Sequence, residues 1–309
     1  MIPPMLPFDC GLAAPPAVCS LALLSTILWG LTPVVVKYAL SRGGTPLQAP
    51  VVIVSVDAAV LWVVTTVLHG PAAVLQFSAR AVGLFALAGA MGTAVGRLVV
   101  YSGIDRLGAS INTAGVSTRP LFAVVIGAVV LGERVGHLTL VGAAVLTVGL
   151  VVLSLSKGGD VRGWQRRDLL FPLSAAALYA AANAVRRTGL DAAGTSALPA
   201  VTVNETAAVL VILGYVLVRG RTDELAAPRE TYVLFALVGV LTATGMVSLF
   251  TALEHPAGRL VVVDPLVAAA PLFTTAFAAV LLSDVERVTR GVVAGAFVVV
   301  AGAAFVTLG

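Results

Sequence analysis

Five ionisable residues stand inside long apolar runs of this 309-residue chain: Asp57, Arg97, Arg119, Glu205 and Asp264. On insertion scales such a group costs about 2.5 to 3.5 kcal/mol at the centre of a membrane helix, so it persists where it pairs or works. Two chemistries suit these residues. An inward-facing guanidinium holds a carboxylate or phosphate through charge-assisted, two-pronged hydrogen bonds. A carboxylate whose surroundings alternate between wet and closed takes up and releases a proton. The blander use is mutual neutralisation in structural ion pairs. Helical spacing adds polar neighbours: Thr93, Arg97 and Tyr101 share a face, as do Asn112, Gly115 and Arg119, and Tyr179, Asn183 and Arg186. Trp29 and Thr32 precede Pro33, which can free a backbone carbonyl. Candidate solute-binding residues are therefore Trp29, Thr32, Arg97, Tyr101, Asn112, Arg119, Tyr179 and Asn183. Candidate proton-coupling residues are Asp57, Glu205 and Asp264, with Asp264 first because it adjoins Pro265.

The elements that position these residues follow from composition. Hydrophobic residues make up 59% of the chain and charged ones 11%, with a mean hydropathy of +1.04, more apolar surface than a water-soluble core can hide. Crossing about 30 Å of hydrocarbon takes about 20 apolar residues as a helix. The runs read as helices rather than barrel strands, since Gly142 to Leu155 is apolar on nearly every face. Five spans are expected at Val18 to Leu40, Ala49 to Leu68, Ala81 to Ile104, Ser110 to Leu131 and Leu138 to Leu155. Five more follow at Leu169 to Thr188, Ala197 to Val218, Tyr232 to Leu253, Leu260 to Leu282 and Gly291 to Leu308.

The two sets of five repeat one another. Pro120-Leu121-Phe122 and Glu133-Arg134-Val135 return as Pro271-Leu272-Phe273 and Glu286-Arg287-Val288. Leu84 to Leu87 (LFAL) returns at Leu234 to Leu237, VSVD at Val54 to Asp57 aligns with VTVN at Val201 to Asn204, and Gly142/Gly149 match Gly295/Gly302. These offsets are all near 150 residues. The expected organisation is an all-α membrane protein of ten transmembrane helices: residues 18–156 a first five-helix repeat, 157–168 a polar linker, and 169–309 a second repeat. An odd number of crossings inverts the second copy, an arrangement common in secondary transporters. Shared positions read as scaffold, with Glu-Arg-Val marking a helix end. Arg97 and Arg119 have apolar counterparts, Val247 and Ala270, in the other copy, and such asymmetry suits a site.

The segments WGLTPVVVKYAL (Trp29 to Leu40) and GASINTAGVSTRPLFAVVIGAVVLGERVGHLTLVGAAVLTVGLVV (Gly108 to Val152), with the matching C-terminal pattern, resemble the ten-helix EamA-type branch of the drug/metabolite transporter superfamily. The resemblance implies a secondary transporter with a central cavity, commonly for metabolites or amino-acid-like compounds.

Loops after odd-numbered spans hold eleven Lys and Arg and the other set five, which places both termini outside and the linker in the cytoplasm of a multi-pass plasma-membrane protein. Those loops account for the pI near 9.4 without nucleic-acid binding. His69, His137 and His255 are too dispersed for a metal site, and no cofactor is expected. Cys10 and Cys19 offer no disulfide framework. Gly92 to Gly96 (GTAVG) has a small-residue spacing that suits packing within the bundle and leaves a homodimer open. The partners expected are a small solute and the lipid bilayer. The alternative class is an intramembrane enzyme acting on a lipid or prenyl substrate, which calls for clustered carboxylates or histidines.

Overall fold

The computed structural model describes residues 15–130, 136–156, 158–193, 197–255, 263, 266–267 and 269–308. Helices are α1 (Pro16–Ser41), α2 (Gln48–His69), α3 (Ala79–Ala88), α4 (Arg97–Leu107), α5 (Ala109–Val116) and α6 (Arg119–Val130). They continue with α7 (His137–Leu155), α8 (Leu170–Ala193), α9 (Ala197–Arg219), α10 (Arg229–Glu254), α11 (Ala270–Leu281) and α12 (Arg290–Leu308). The fold is an all-α membrane fold. Among the described residues, six helical stretches are long and apolar enough to cross a bilayer: Pro16–Ser41, Gln48–His69, Ala79–Leu107, Arg166–Arg186, Ala197–Arg219 and Arg229–Ala252. His137–Leu153, Ala270–Leu281 and Arg290–Val306 are shorter apolar helices.

Two spans differ from the simple helices expected. The third runs from Ala79 to Leu107 but passes through a π-helical stretch at Gly89–Gly96 that joins α3 to α4. The fourth is not one helix from Ser110 to Leu131. It breaks at Ser117-Thr118, where Thr118 Oγ1 donates to the Gly115 carbonyl at 2.7 Å and Leu121 N donates to the Thr118 carbonyl at 2.9 Å. Pro120 has no N–H with which to continue the ladder, and its ring is tolerated in the first turn of a new helix. Pro271 occupies the same place in α11. Both Pro-Leu-Phe copies thus open a helix after a break. Pro33, by contrast, lies within the continuous α1. Its missing N–H would have bonded Trp29 four residues back, and the Trp29 carbonyl instead accepts from Thr32 Oγ1 at 3.1 Å.

Packing is interleaved along the chain. α1 lies on α10 and α11, while α8 lies on α3, α4, α5 and α6. α10 packs on α2, α9 on α3 and on the π stretch, and α7 on α12. Phe85 and Phe235, from the two LFAL copies, are both fully buried. Gly89 and Gly239 both let a neighbouring backbone approach: Gly89 abuts the Asn204 carbonyl of α9, and a Cβ on Gly239 would stand 2.8 Å from the Ile53 carbonyl of α2. Gly92 and Gly96 receive Ala182 and Tyr179 of α8, so the GTAVG spacing serves packing inside the bundle.

Outside the helices, strand β1 (Gly159–Asp160) pairs antiparallel with β2 (Glu286–Arg287), joining the linker to the α11–α12 loop. Glu286-Arg287-Val288 therefore does not mark a helix end: α11 has already stopped at Leu281, and Glu286 turns inward. The first copy, Glu133-Arg134-Val135, lies outside the described residues, as does Lys157. Cys19 is disulfide-bonded, which corrects the expectation that the cysteines offer no disulfide framework.

Candidate functional site

A cavity of about 330 Å³ sits among α1, the α3–α4 stretch, α5, the start of α6, α8, α9 and α10. Trp29, Thr32, Arg97, Tyr101, Asn112, Arg119, Tyr179 and Asn183 all line it. α1 supplies Trp29 and Thr32 on the turn loosened by Pro33, and Trp29 Nε1 donates to the Thr242 carbonyl of α10 at 3.3 Å. From α10 the wall is made by Thr242 and Met246. Thr244, Ser248 and Thr251 of the same helix do not line it; their hydroxyls donate to the Val240, Leu21 and Val247 carbonyls.

Arg97 opens α4 at the end of the π stretch. Its Nη2 donates to Asp57 Oδ2 at 2.8 Å and lies 3.7 Å from Glu205 Oε2. Asp57 stands behind Arg97, outside the cavity lining, whereas Glu205 lines the cavity. Glu205 Oε1 accepts from Thr93 Oγ1 at 2.9 Å and from Asn204 Nδ2 at 3.1 Å. Asn204, the counterpart of Asp57 in the repeat, also accepts from Arg186 Nη2 at 3.1 Å, and Arg186 Nη1 reaches Asn183 Oδ1 at 2.6 Å. The ion-pair use of Asp57 and Arg97 is thus realised. Even so, Arg97 Nη1, Glu205 Oε2, Arg186 Nε and both amide atoms of Asn112 are buried without a hydrogen-bond partner among the described residues. Buried polar atoms are normally satisfied, so orphans gathered around one void indicate binding capacity.

Arg119 begins α6 at the helix break, keeps exposed surface, and makes no salt bridge among the described residues. A helix N-terminus carries partial positive charge, which adds to the guanidinium there. Among the described residues, three guanidiniums, Arg97, Arg119 and Arg186, stand against two carboxyl groups, Asp57 and Glu205. Asp264 lies outside the described residues.

A second polar cluster includes the chain neighbours of Val36 and Ile104, two residues that line the cavity. Their chain neighbours Lys37 and Asp105 turn away from the void: Lys37 Nζ pairs with Asp160 and donates to the Asp105 carbonyl at 2.7 Å. Arg162 bridges Asp160 and Asp105, both at 3.0 Å. Glu286 receives the first N–H groups of α5, from Ala109 at 2.6 Å and Ser110 at 2.8 Å, as a carboxylate suits a helix start. Gly108 makes the turn before that helix at φ +89, where a Cβ would stand 2.7 Å from the Glu286 carboxyl. Burial pushes the Asp160 carboxyl up, but hydrogen bonds from Arg162 and Lys37 outweigh it and hold the group below its ordinary range. Burial pushes Glu286 up, against the hydrogen bonds from Ser110 and Ala109. Lys37, Asn204 and Glu286 were not singled out from the sequence. Lys37 carried a signal, a lysine within the apolar run of the first span.

Residues 17–155 match the model of the EamA-like transporter family, consistent with a member of the drug/metabolite transporter superfamily. The family resemblance drawn from the sequence agrees with that match, and the chain is a multi-pass membrane protein. A solved structure described only as "Crystal structure of protein" aligns with a TM-score of 0.59 at 15% identity, covering 93% of this chain and 95% of that one, and so shares the fold. No curated protein matches the sequence.

Proposed function

We propose that this protein is a secondary transporter that moves a small organic anion, bearing a carboxylate or phosphate, through the cavity between two inverted five-helix repeats. The observation that carries the reading is the convergence on one void of Arg119, Arg97 and Arg186 with the Asn112 amide, which is unsatisfied among the described residues. Bidentate guanidinium contacts would offset the desolvation of a bound carboxylate or phosphate.

Antiparallel packing of corresponding helices supports inversion. Val54 of α2 clusters with Ala208 and Ile212 of α9, Leu61 clusters with Leu198 and Val201, and the hydroxyls of Thr65 and Thr202 lie 2.7 Å apart. α7 and α12 likewise run in opposite senses, with Gly142 against Val306, Gly149 against Val299 and Leu153 against Gly295. The reciprocal contacts of α1 with α10 and α8 with α3–α4 fit a two-fold relation in the membrane plane. The Lys37–Asp160–Arg162–Asp105 cluster then acts as a gate that opens when the cavity turns to the other side. By the charge bias this gate is cytoplasmic, in a plasma-membrane protein.

Proton coupling is assigned to Glu205 and Asp57, which share one arginine: losing Arg97 Nη2 to an incoming anion leaves one acid uncompensated and able to take a proton. Asp264 remains a candidate from its place in the sequence. No observation favours the intramembrane-enzyme alternative.

The test is flux into liposomes containing the purified protein. Uptake of an organic anion without chemical change, stimulated by a pH gradient, supports the reading. A converted product, or flux indifferent to the solute's charge, overturns it.

A further inference from the structure

Beneath the gate lies a second void of about 330 Å³, lined by Ser156, Gly158, Asp160, Trp164, Arg166 and Arg287 among others. It forms where the linker meets the α11–α12 loop through the β1–β2 pair and the Val161 N–H donated to the Val285 carbonyl at 3.1 Å. We infer that this pocket is a binding site for a phosphate group, as carried by the head of an anionic phospholipid.

The charge count carries the inference. Asp160 is satisfied by Lys37 and Arg162, and Arg162 also serves Asp105. Glu286 spends both carboxylate oxygens on the start of α5. Arg166 and Arg287 are exposed and make no salt bridge among the described residues, so two guanidiniums face the void unneutralised. Phosphate oxygens suit such a pair better than a single carboxylate, because each arginine can take two of them.

Position favours a lipid as the source. The linker connects α7 to α8, which puts the pocket at headgroup depth. Trp164 stands beside it half-buried, its ring against Leu107, Ile111 and Val292 and its indole N–H donated to the Gly158 carbonyl at 2.7 Å, the posture of an interfacial aromatic. Basic pockets between membrane helices on the positively charged side take lipid head groups. Since one wall is the linker and the other the α11–α12 loop, and Asp160 belongs to both pocket and gate, an occupant stabilises the paired, closed arrangement over the open one.

The experiment uses the full-length protein in phosphatidylcholine nanodiscs, with thermal unfolding and native mass spectrometry as readouts. Phosphatidylglycerol is added in one arm and inorganic phosphate in the other. The expected result is a raised midpoint and a retained lipid with phosphatidylglycerol. Arg166→Gln/Arg287→Gln should unfold as wild type does in phosphatidylcholine alone, yet bind the anionic lipid about tenfold more weakly or worse, the loss of at least one charged hydrogen bond. Arg219→Gln/Arg229→Gln removes the same charge elsewhere and should keep the full response. An equal response to inorganic phosphate supports the site and assigns it to a soluble phosphate. The proposal is overturned if neither source shifts the midpoint, or if both double variants respond alike.

Discussion

Gly142 and Gly302 lie face to face where α7 crosses α12: a Cβ on Gly142 would stand 2.9 Å from the Gly302 carbonyl oxygen, and one on Gly302 3.0 Å from the Gly142 carbonyl oxygen. Close backbone approach of this kind is how membrane helices gain contact without a hydrophobic driving force between them. Gly302→Ala would also bring its methyl to 2.5 Å from Leu146 N, so it should cost about 1 to 3 kcal/mol by overpacking. Gly214→Ala meets nothing within 4 Å and should leave the thermal midpoint unchanged or raised. Thermal unfolding of the two variants in one detergent checks the contrast, and equal midpoints would refute the close contact.

Arg97 sets one nitrogen, and a single positive charge, against two buried acids. Arg97→Gln leaves Asp57 and Glu205 uncompensated and should destabilise by about 3 to 5 kcal/mol. Adding Asp57→Asn to that variant should restore part of the loss. A double-mutant cycle on unfolding free energy measures the coupling, and strict additivity would show that the 2.8 Å contact carries none.

Arg119 makes no salt bridge among the described residues, so its removal should spare the fold and reach the solute. Arg119→Gln should weaken an anionic solute at least about tenfold, one charged hydrogen bond's worth, and a neutral analogue little. Competition binding on purified protein reads the ratio. Equal loss for both solutes would return Arg119 to a structural role.

Glu205→Gln should lose uptake driven by a pH gradient while keeping solute exchange, because exchange needs no net proton movement. Counterflow and net flux in the same liposomes separate the two. Survival of pH-driven flux in Glu205→Gln, Asp57→Asn and Asp264→Asn alike would end the coupling assignment.

Asp160 gives the gate a pH dependence of known sign. Its folded-state value lies below the ordinary 3.8, so its contribution is complete above that value and fades as the pH falls through the folded one. Glu286 runs the other way: raised above 4.5, its contribution is complete below that value and lost as the pH rises through the folded one. Asp160→Asn should therefore lower the midpoint at neutral pH, with a deficit that shrinks below about pH 4. A deficit constant with pH would remove the carboxylate from the gate.

Much of this architecture was legible because similar segments recur in the sequence at positions that packing constrains. The paired glycines, the two Pro-Leu-Phe segments and the LFAL copies recur since a helix crossing, a helix restart and a buried phenylalanine tolerate little else. Arg97, Tyr101, Asn112, Arg119, Tyr179 and Asn183 were legible from helical spacing, whereas Thr242 and Met246 of the same cavity were not. What stayed hidden depends on pairing across the chain. Lys37 finds Asp160 123 residues away, and Glu286 caps a helix 177 residues before it. The break at Ser117 was concealed by unbroken hydropathy, and the π stretch by glycines that read equally well as packing sites.

The interleaving of the halves bears on how the chain is made. Trp29 and Thr242, which meet where α1 packs on α10, are 213 residues apart, so at about 5 to 20 residues per second the first waits roughly ten to forty seconds for the second. Throughout that interval the early helices sit in lipid without the neighbours that will cover them. Asp57 and Arg97 need no later partner to find each other, because both belong to the first half. The nascent chain thus carries its own counter-ion through insertion, and Glu205 joins a pair already neutral.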